Sequence, residues 1–198
     1  MGLSGPNPST ANLATVLPMI RLFVAIPLPE TLRRSLSLLG GGIPGANWVA
    51  ADNLHLTLRF IGEVDEGTAR DVDDMLSGLD VPAVDVRVAG MGQFGEGDRA
   101  RLLYAAVERT PELVRLQERV EAAVVRGGCP HERRKFAPHI TLARLKGAAM
   151  PRVQGFIAAH ALLRWPPFTA DRVVLYSSHL GREGPIYRAL ADYPLRVW

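Results

Sequence analysis

The chain of 198 residues contains a single cysteine, Cys129, and only two lysines, Lys135 and Lys146. One cysteine excludes an internal disulfide framework and a thiolate-built zinc cage. Cys129, beside Pro130, is expected to be a small, half-buried residue. No stretch approaches the roughly 18 uninterrupted apolar residues of a membrane-crossing helix. Charge of one sign is also scarce: 23 basic and 20 acidic residues leave a formal net charge of +3, too little by itself to indicate nucleic-acid binding. Nearly all the positive charge is guanidinium, which suits planar contact with phosphate, and a codon bias toward arginine accounts for most of that excess. With 47% hydrophobic and 22% charged residues the composition is globular, which excludes wholesale disorder and fibres. The length accommodates one domain, or one domain of two lobes.

Residues 1–18 are rich in Ser, Pro, Asn, Thr and Ala and lack the basic start and apolar centre of a secretory signal. They are expected to form a disordered leader, with Met19 as a second candidate start and the cytoplasm as the compartment. Residues 19–198 then read as one unit with an internal repeat, about 19–92 and 99–198. In the first half, Arg21 to Ile26 is a strand closed by Pro27 and Pro29. Leu32, Leu36 and Leu39 stripe a helix that ends at Gly40 to Gly42. Leu54 to Phe60 alternates as a strand, Val72, Met75, Leu76 and Leu79 mark a second helix, and Ala83 to Ala89 a third strand. In the second half, Arg101 to Val107 is a strand. Thr110 and Pro111 cap a helix striped by Leu113, Leu116, Val120 and Val124. Phe136 to Ala143 is a strand, Val153, Phe156 and Ile157 mark a shorter helix, and Asp171 to Ser177 and Ile186 to Leu190 are strands. Gly90 to Arg99 is the expected connection. Two similar lobes facing each other are the natural outcome of such a duplication.

The same pattern occurs once in each half: His55-Leu56-Thr57-Leu58 and His139-Ile140-Thr141-Leu142, 84 positions apart. The period of a strand puts His and Thr on one face and the aliphatic pair on the other. The aliphatic residues belong to the core, so His and Thr look into a cleft. Two imidazoles there can act as one base and one acid, and two hydroxyls can donate to an anion held between them. A tetrahedral phosphate, attacked on one side and released on the other, fits this arrangement without a metal. The rate is then expected to follow a bell with its maximum near neutrality. A zinc site needs a further ligand, and His131, His160 and His179 are not at motif spacing. His160 is expected at the core edge and His131 in solvent.

The paired motifs resemble those of the 2H phosphoesterase superfamily. Their surroundings are similar to the RNA 2',3'-cyclic phosphodiesterases, also called 2'-5' RNA ligases: Arg21 to Pro29, Trp48 to Val64, Arg101 to Val107, Lys135 to Lys146 and Val173 to Leu190 carry the likeness. The resemblance implies an α+β, bilobal, pseudo-symmetric fold with two antiparallel-rich sheets facing a central cleft and helices outside. It implies hydrolysis of an RNA 2',3'-cyclic phosphate to a 2'-phosphate, with no cofactor. It implies His55 as proton donor and His139 as proton acceptor, roles that the symmetric motifs do not distinguish. The implied partner is RNA with a cyclic phosphate end, tRNA-like or a short oligonucleotide, acted on by a monomer away from membranes. Joining of RNA ends 2'-5' is the same chemistry with an RNA hydroxyl in place of water.

Thr57 and Thr141 are the expected phosphate-binding hydroxyls, with Arg59 and Arg144 as basic candidates. Arg59 shares strand parity with His55, so it reaches the cleft or ends in a salt bridge. Arg144 has the opposite parity to His139 and needs a bulge to reach phosphate. Arg126, Arg133, Arg134 and Lys135 form a basic segment that either steers RNA phosphates or is a solvated loop. Phe60 and Phe136 are expected in the core. Two other readings stay open: the same chemistry on a small cyclic nucleotide or ADP-ribose cyclic phosphate, and a non-catalytic RNA-binding module.

Overall fold

The computed structural model describes residues 19–95, 100–181 and 184–197. The expected leader, 1–18, and part of the expected connection, 96–99, lie outside these residues. In chain order the elements are β1 (Ile20–Pro27), α1 (Glu30–Ser37), β2 (Ala46–Trp48), a 3-10 turn (Ala51–Asn53), β3 (His55–Val64), α2 (Glu66–Ser77), β4 (Val84–Val86), β5 (Val88–Phe94), β6 (Leu102–Val107), α3 (Pro111–Arg126), β7 (His139–Leu145), α4 (Met150–His160), β8 (Phe168–Ala170), β9 (Arg172–Gly181) and β10 (Gly184–Pro194). Helices α2 and α3 begin where a side chain accepts from their free N–H groups. Asp65 accepts from the Thr68 N–H at 2.8 Å, and Thr110 from the Leu113 N–H at 3.2 Å. Strand β7 starts at His139 rather than Phe136, because Pro138 has no N–H to give the ladder. The expected strand Ala83 to Ala89 is divided at Arg87, where the chain passes from a small sheet to the large one. Gly90 to Phe94, expected in a connection, lies within β5.

The expected bilobal α+β architecture is present, with two differences. The two antiparallel sheets are arms of a single sheet, in the order β10-β9-β1-β3-β7-β6-β5, with β2 also on β7. The arms meet at one register pair, Leu56 with Ile140. The halves of the sequence are also not the arms. Strand β9, from the second half, lies on β1, and β5, from the first half, lies on β6. The crossing occurs at the two-stranded sheet β4-β8, where Asp85 faces Thr169 and the two side chains are 2.8 Å apart. Leu56 to Ile140 and Asp85 to Thr169 are both offsets of 84, the offset of the two histidines. A pseudo-twofold axis therefore passes through both pairs.

The core lies on one face of the sheet. Leu22, Val24 and Ile26 of β1, Leu56 and Leu58 of β3, and Ile140 and Leu142 of β7 are buried with Leu113, Leu116, Val120 and Val124 of α3. Burial of each of these large side chains contributes about 1.5–3 kcal/mol. A one-residue slip of β3 or β7 would bring the aliphatic pair into the cleft, so the core locks His and Thr onto the other face. Val153 of α4 closes a smaller cluster with Ile43, Leu103, Ala143 and Leu145.

Candidate active site

The four motif side chains emerge on the open face along the seam between the arms. The antiparallel register about Leu56 and Ile140 sets Thr141 across from His55 and Thr57 across from His139. Both imidazoles are held alike. Nδ1 of His55 lies 2.7 Å from the Asn53 carbonyl oxygen, and Nδ1 of His139 lies 2.7 Å from that of Ala137. A carbonyl only accepts, so each ring carries its proton on Nδ1 when neutral and leaves Nε2 to exchange protons in the cleft. Among the described residues, neither threonine hydroxyl has a hydrogen-bond partner in the protein.

Aromatic rings surround the imidazoles. His55 packs against Phe23, with ring centres 4.8 Å apart, and meets the edge of Tyr187 at 5.4 Å. His139 meets Phe94 at 4.7 Å and Tyr104 at 5.4 Å. These rings come from β1, β5, β6 and β10, strands distant in sequence from the motifs. The motif spacing does not reveal them, and Phe94 falls in the expected connection; only for Phe23, Tyr104 and Tyr187 does an expected strand give a signal. Asn53 also donates through Nδ2 to the Pro185 carbonyl at 2.8 Å, which ties β10 to the loop that holds the His55 ring.

The parity of the motif strands changes just beyond the threonines. Ala25 pairs with Thr57 but Val24 pairs with Arg59, so Leu58 is an extra residue in a bulge. In β7, Tyr104 pairs with Thr141 and Leu103 with Ala143, which makes Leu142 the extra residue. The two bulges are again 84 positions apart. Each sends two consecutive side chains into the core, Leu58 with Arg59 and Leu142 with Ala143, and returns the next one to the cleft face. Arg144 gains the bulge it required, and its charge acts on His55. Arg59 takes the salt-bridge alternative: it is 6% exposed and its guanidinium is paired with Glu121, although it also borders the cavity that Thr57 and His139 line. Phe60 follows it in sequence, on the open face. It is half-exposed rather than in the core, and lines a cavity of about 580 Å³ with Thr57, Phe94, Lys135, Phe136 and His139. A second cavity, of about 470 Å³, is lined by Trp48, Asn53, Arg144, Ile186 and Tyr187. The pseudo-twofold relation exchanges Phe60 of the first with Arg144 of the second.

Other sequence candidates are elsewhere. Arg134 lines the first cavity but is paired with Glu132 at 2.9 Å. His131 is exposed and lies 3.5 Å from Glu121. His160 sits at the core edge, with Nδ1 2.7 Å from the Phe156 carbonyl oxygen. Cys129 is buried, and burial raises its thiol pKa. Among the described residues, no three His, Cys, Asp or Glu side chains gather to hold a metal ion. No described helix is long and apolar enough to cross a membrane.

Burial lowers both imidazole pKa values, and the arrangement expected from sequence changes accordingly. For His55 the value falls to about 4: loss of water dominates, the Asn53 carbonyl opposes it, and His139 and Arg144 add to the fall. His139 is lowered from 6.5 by burial, against the pull of the Ala137 carbonyl. At pH 7 the free protein therefore holds two neutral rings, not one neutral and one protonated. A reaction that needs one proton between them is favoured as pH falls below the ordinary imidazole range. The pH profile of kcat/KM, which reports the free enzyme, is expected to peak on the acid side of neutrality and fall toward pH 8. A bound phosphate anion stabilises imidazolium, so the alkaline limb of kcat is expected at higher pH than that of kcat/KM. Steady-state rates from pH 4 to 9 check this. A kcat/KM that rises through pH 8 would remove any histidine from the role of acid.

The sequence profile of the 2'-5' RNA ligase superfamily matches residues 42–182. The RNA 2',3'-cyclic phosphodiesterase of Aeropyrum pernix is 33% identical over 158 residues, 79% of this chain and 89% of that protein. The RNA 2',3'-cyclic phosphodiesterase of Thermotoga maritima is 33% identical over 182 residues, 87% of this chain and 94% of that protein. Among solved structures, E. coli LigT complexed with 3'-AMP superposes with a TM-score of 0.73 at 27% identity, covering 90% of this chain and 99% of that one.

Proposed function

The chain belongs to the 2'-5' RNA ligase superfamily, and from this membership we propose that it hydrolyses RNA 2',3'-cyclic phosphate ends to 2'-phosphates without a metal ion. The observation that carries the reading is the pair of imidazoles, each fixed through Nδ1 on a backbone carbonyl, with both Nε2 atoms left to the cleft. In this reading His139 takes a proton from water as the water oxygen bonds to phosphorus. The bond from phosphorus to the 3' oxygen breaks, and His55 gives that oxygen its proton. The division between the two rings follows the family, since the site itself is nearly symmetric. The hydroxyls of Thr57 and Thr141 and the guanidinium of Arg144 bind the non-bridging oxygens, whose negative charge grows in the transition state. An RNA hydroxyl in place of water gives 2'-5' joining by the same two proton transfers. The substrate is a tRNA-like or short RNA end, and the protein acts as a monomer in the cytoplasm.

The test is product analysis on a short RNA ending in 2',3'-cyclic phosphate, in buffer containing EDTA. The expected product is the 2'-phosphate, identified by phosphorus NMR, at a rate that added zinc or manganese does not raise. A 3'-phosphate product would reverse the leaving group. Hydrolysis that needs added metal would overturn the proton-transfer mechanism.

A further inference from the structure

Residues Gly127 to Pro138, between α3 and β7, form neither helix nor strand. Yet they supply one wall of the larger cavity, through Lys135, Phe136 and Ala137, and the carbonyl that holds the His139 ring. The segment that precedes His55 is secured differently. There β2 is stitched to β7 by backbone pairing, and the Val49 N–H donates to the Leu142 carbonyl at 2.8 Å.

Residues 130–138 are tied by side chains, and Arg59 is at their centre. Its guanidinium donates to the Pro130 carbonyl across 71 positions of sequence and to the Phe60 carbonyl beside the bulge. It is paired with Glu121 of α3 and lies 3.8 Å from Glu132. Glu121 also accepts from the Glu132 N–H at 2.9 Å. One buried cation thus joins three things: the end of the first motif, helix α3, and the segment leading to the second motif. The residue 84 positions on is Ala143, so the pseudo-twofold relation provides no counterpart in the other half.

We propose that Arg59, at the border of the larger cavity, is a positioning residue that fixes residues 130–138, and so sets both the wall of that cavity and the carbonyl that orients His139. This rests on the reading that the cleft acts on an RNA cyclic phosphate. A guanidinium is suited to the task because its planar fork reaches several oxygens at once, whereas an ammonium is a single point of charge.

Deleting one partner would leave a buried charge uncompensated, so the informative variant removes both: Arg59→Met with Glu121→Leu, a replacement that is often neutral for stability. Its melting temperature is expected to stay near that of the wild type. Amide exchange in 130–138 is expected to quicken, with β1 and β3 unchanged. Loss of positioning should lower kcat/KM for the cyclic phosphate RNA by about 10- to 100-fold. Arg59→Lys should leave exchange fast and KM raised despite keeping the charge. Wild-type kinetics and exchange in the double variant would overturn the proposal. If that variant does not fold, Glu121→Gln carries the test, since it keeps an acceptor for the Glu132 N–H but loses the charge. Unchanged KM and exchange in Glu121→Gln would likewise overturn it. A wild-type protein that fails to hydrolyse cyclic phosphate RNA strikes the reading of function instead, and the exchange experiment still decides the role of Arg59.

Discussion

Replacing His55 or His139 by alanine is expected to lower kcat/KM on a cyclic phosphate RNA by at least about 100-fold, the usual cost of losing a general acid or base. The effect should appear in kcat, because the proton moves in the transition state and not on binding. If both rings serve one displacement, as proposed, the two losses should not multiply in the double variant. His55 also packs against Phe23 and Tyr187, so His55→Ala opens a gap in that aromatic shell. His55→Gln keeps more of the volume and serves as the check that the loss is chemical. The residual activities should separate the roles: without His139 the acidic limb of the pH profile disappears, and without His55 the alkaline limb. Near-wild-type kcat in either alanine variant would end the two-histidine mechanism. Exchanged limbs would reverse donor and acceptor.

Thr57→Val and Thr141→Val are expected to cost about 2–4 kcal/mol of transition-state stabilisation each, the range for losing one hydrogen-bond donor to developing negative charge. Valine has nearly the same shape and suits a strand, so the ladder should survive the change. Stability should barely move, because the hydroxyls have no partner in the protein among the described residues. Loss of melting temperature with unchanged kcat would make the threonines structural and leave the two imidazoles to work alone. An unequal pair of losses would also be informative. Thr57 faces His139 and the cavity with Phe60, whereas Thr141 faces His55 on the side of Arg144, so the larger loss marks the side on which charge accumulates more.

Arg59 and Phe60 show where reading by alternation stops. From His55 through Thr57 the period of two holds; continued, it puts Arg59 in the cleft or in a salt bridge and Phe60 in the core. One extra residue at Leu58 selects the salt bridge for Arg59 and brings Phe60 to the open face. Nothing in the composition of Leu58 announces the bulge, because a bulge is a property of a strand pair: it depends on how β1 runs past β3. The same device at Leu142 brings Arg144 to the cleft. Likewise, β2 has only three residues, too few for a periodic signal, and it exists because β7 offers it an edge.

The sequence by itself determined the helices, the longer strands and which motif side chains share a face. Local apolar periodicity, capping residues and prolines fix where helices and strands run, and two copies of one motif at one spacing fix which side chains share a face. The tertiary structure alone decided the exchange of β5 and β9 between the arms, the bulges that bring Phe60 and Arg144 to the open face, and the carbonyls that lock each imidazole. It also decided the protonation of the site, since the depressed pKa values of His55 and His139 come from burial by rings on strands remote in sequence. The physical reason is common to all of these: periodicity and capping act over a few neighbouring residues, whereas register, burial and loss of water arise only when distant segments meet.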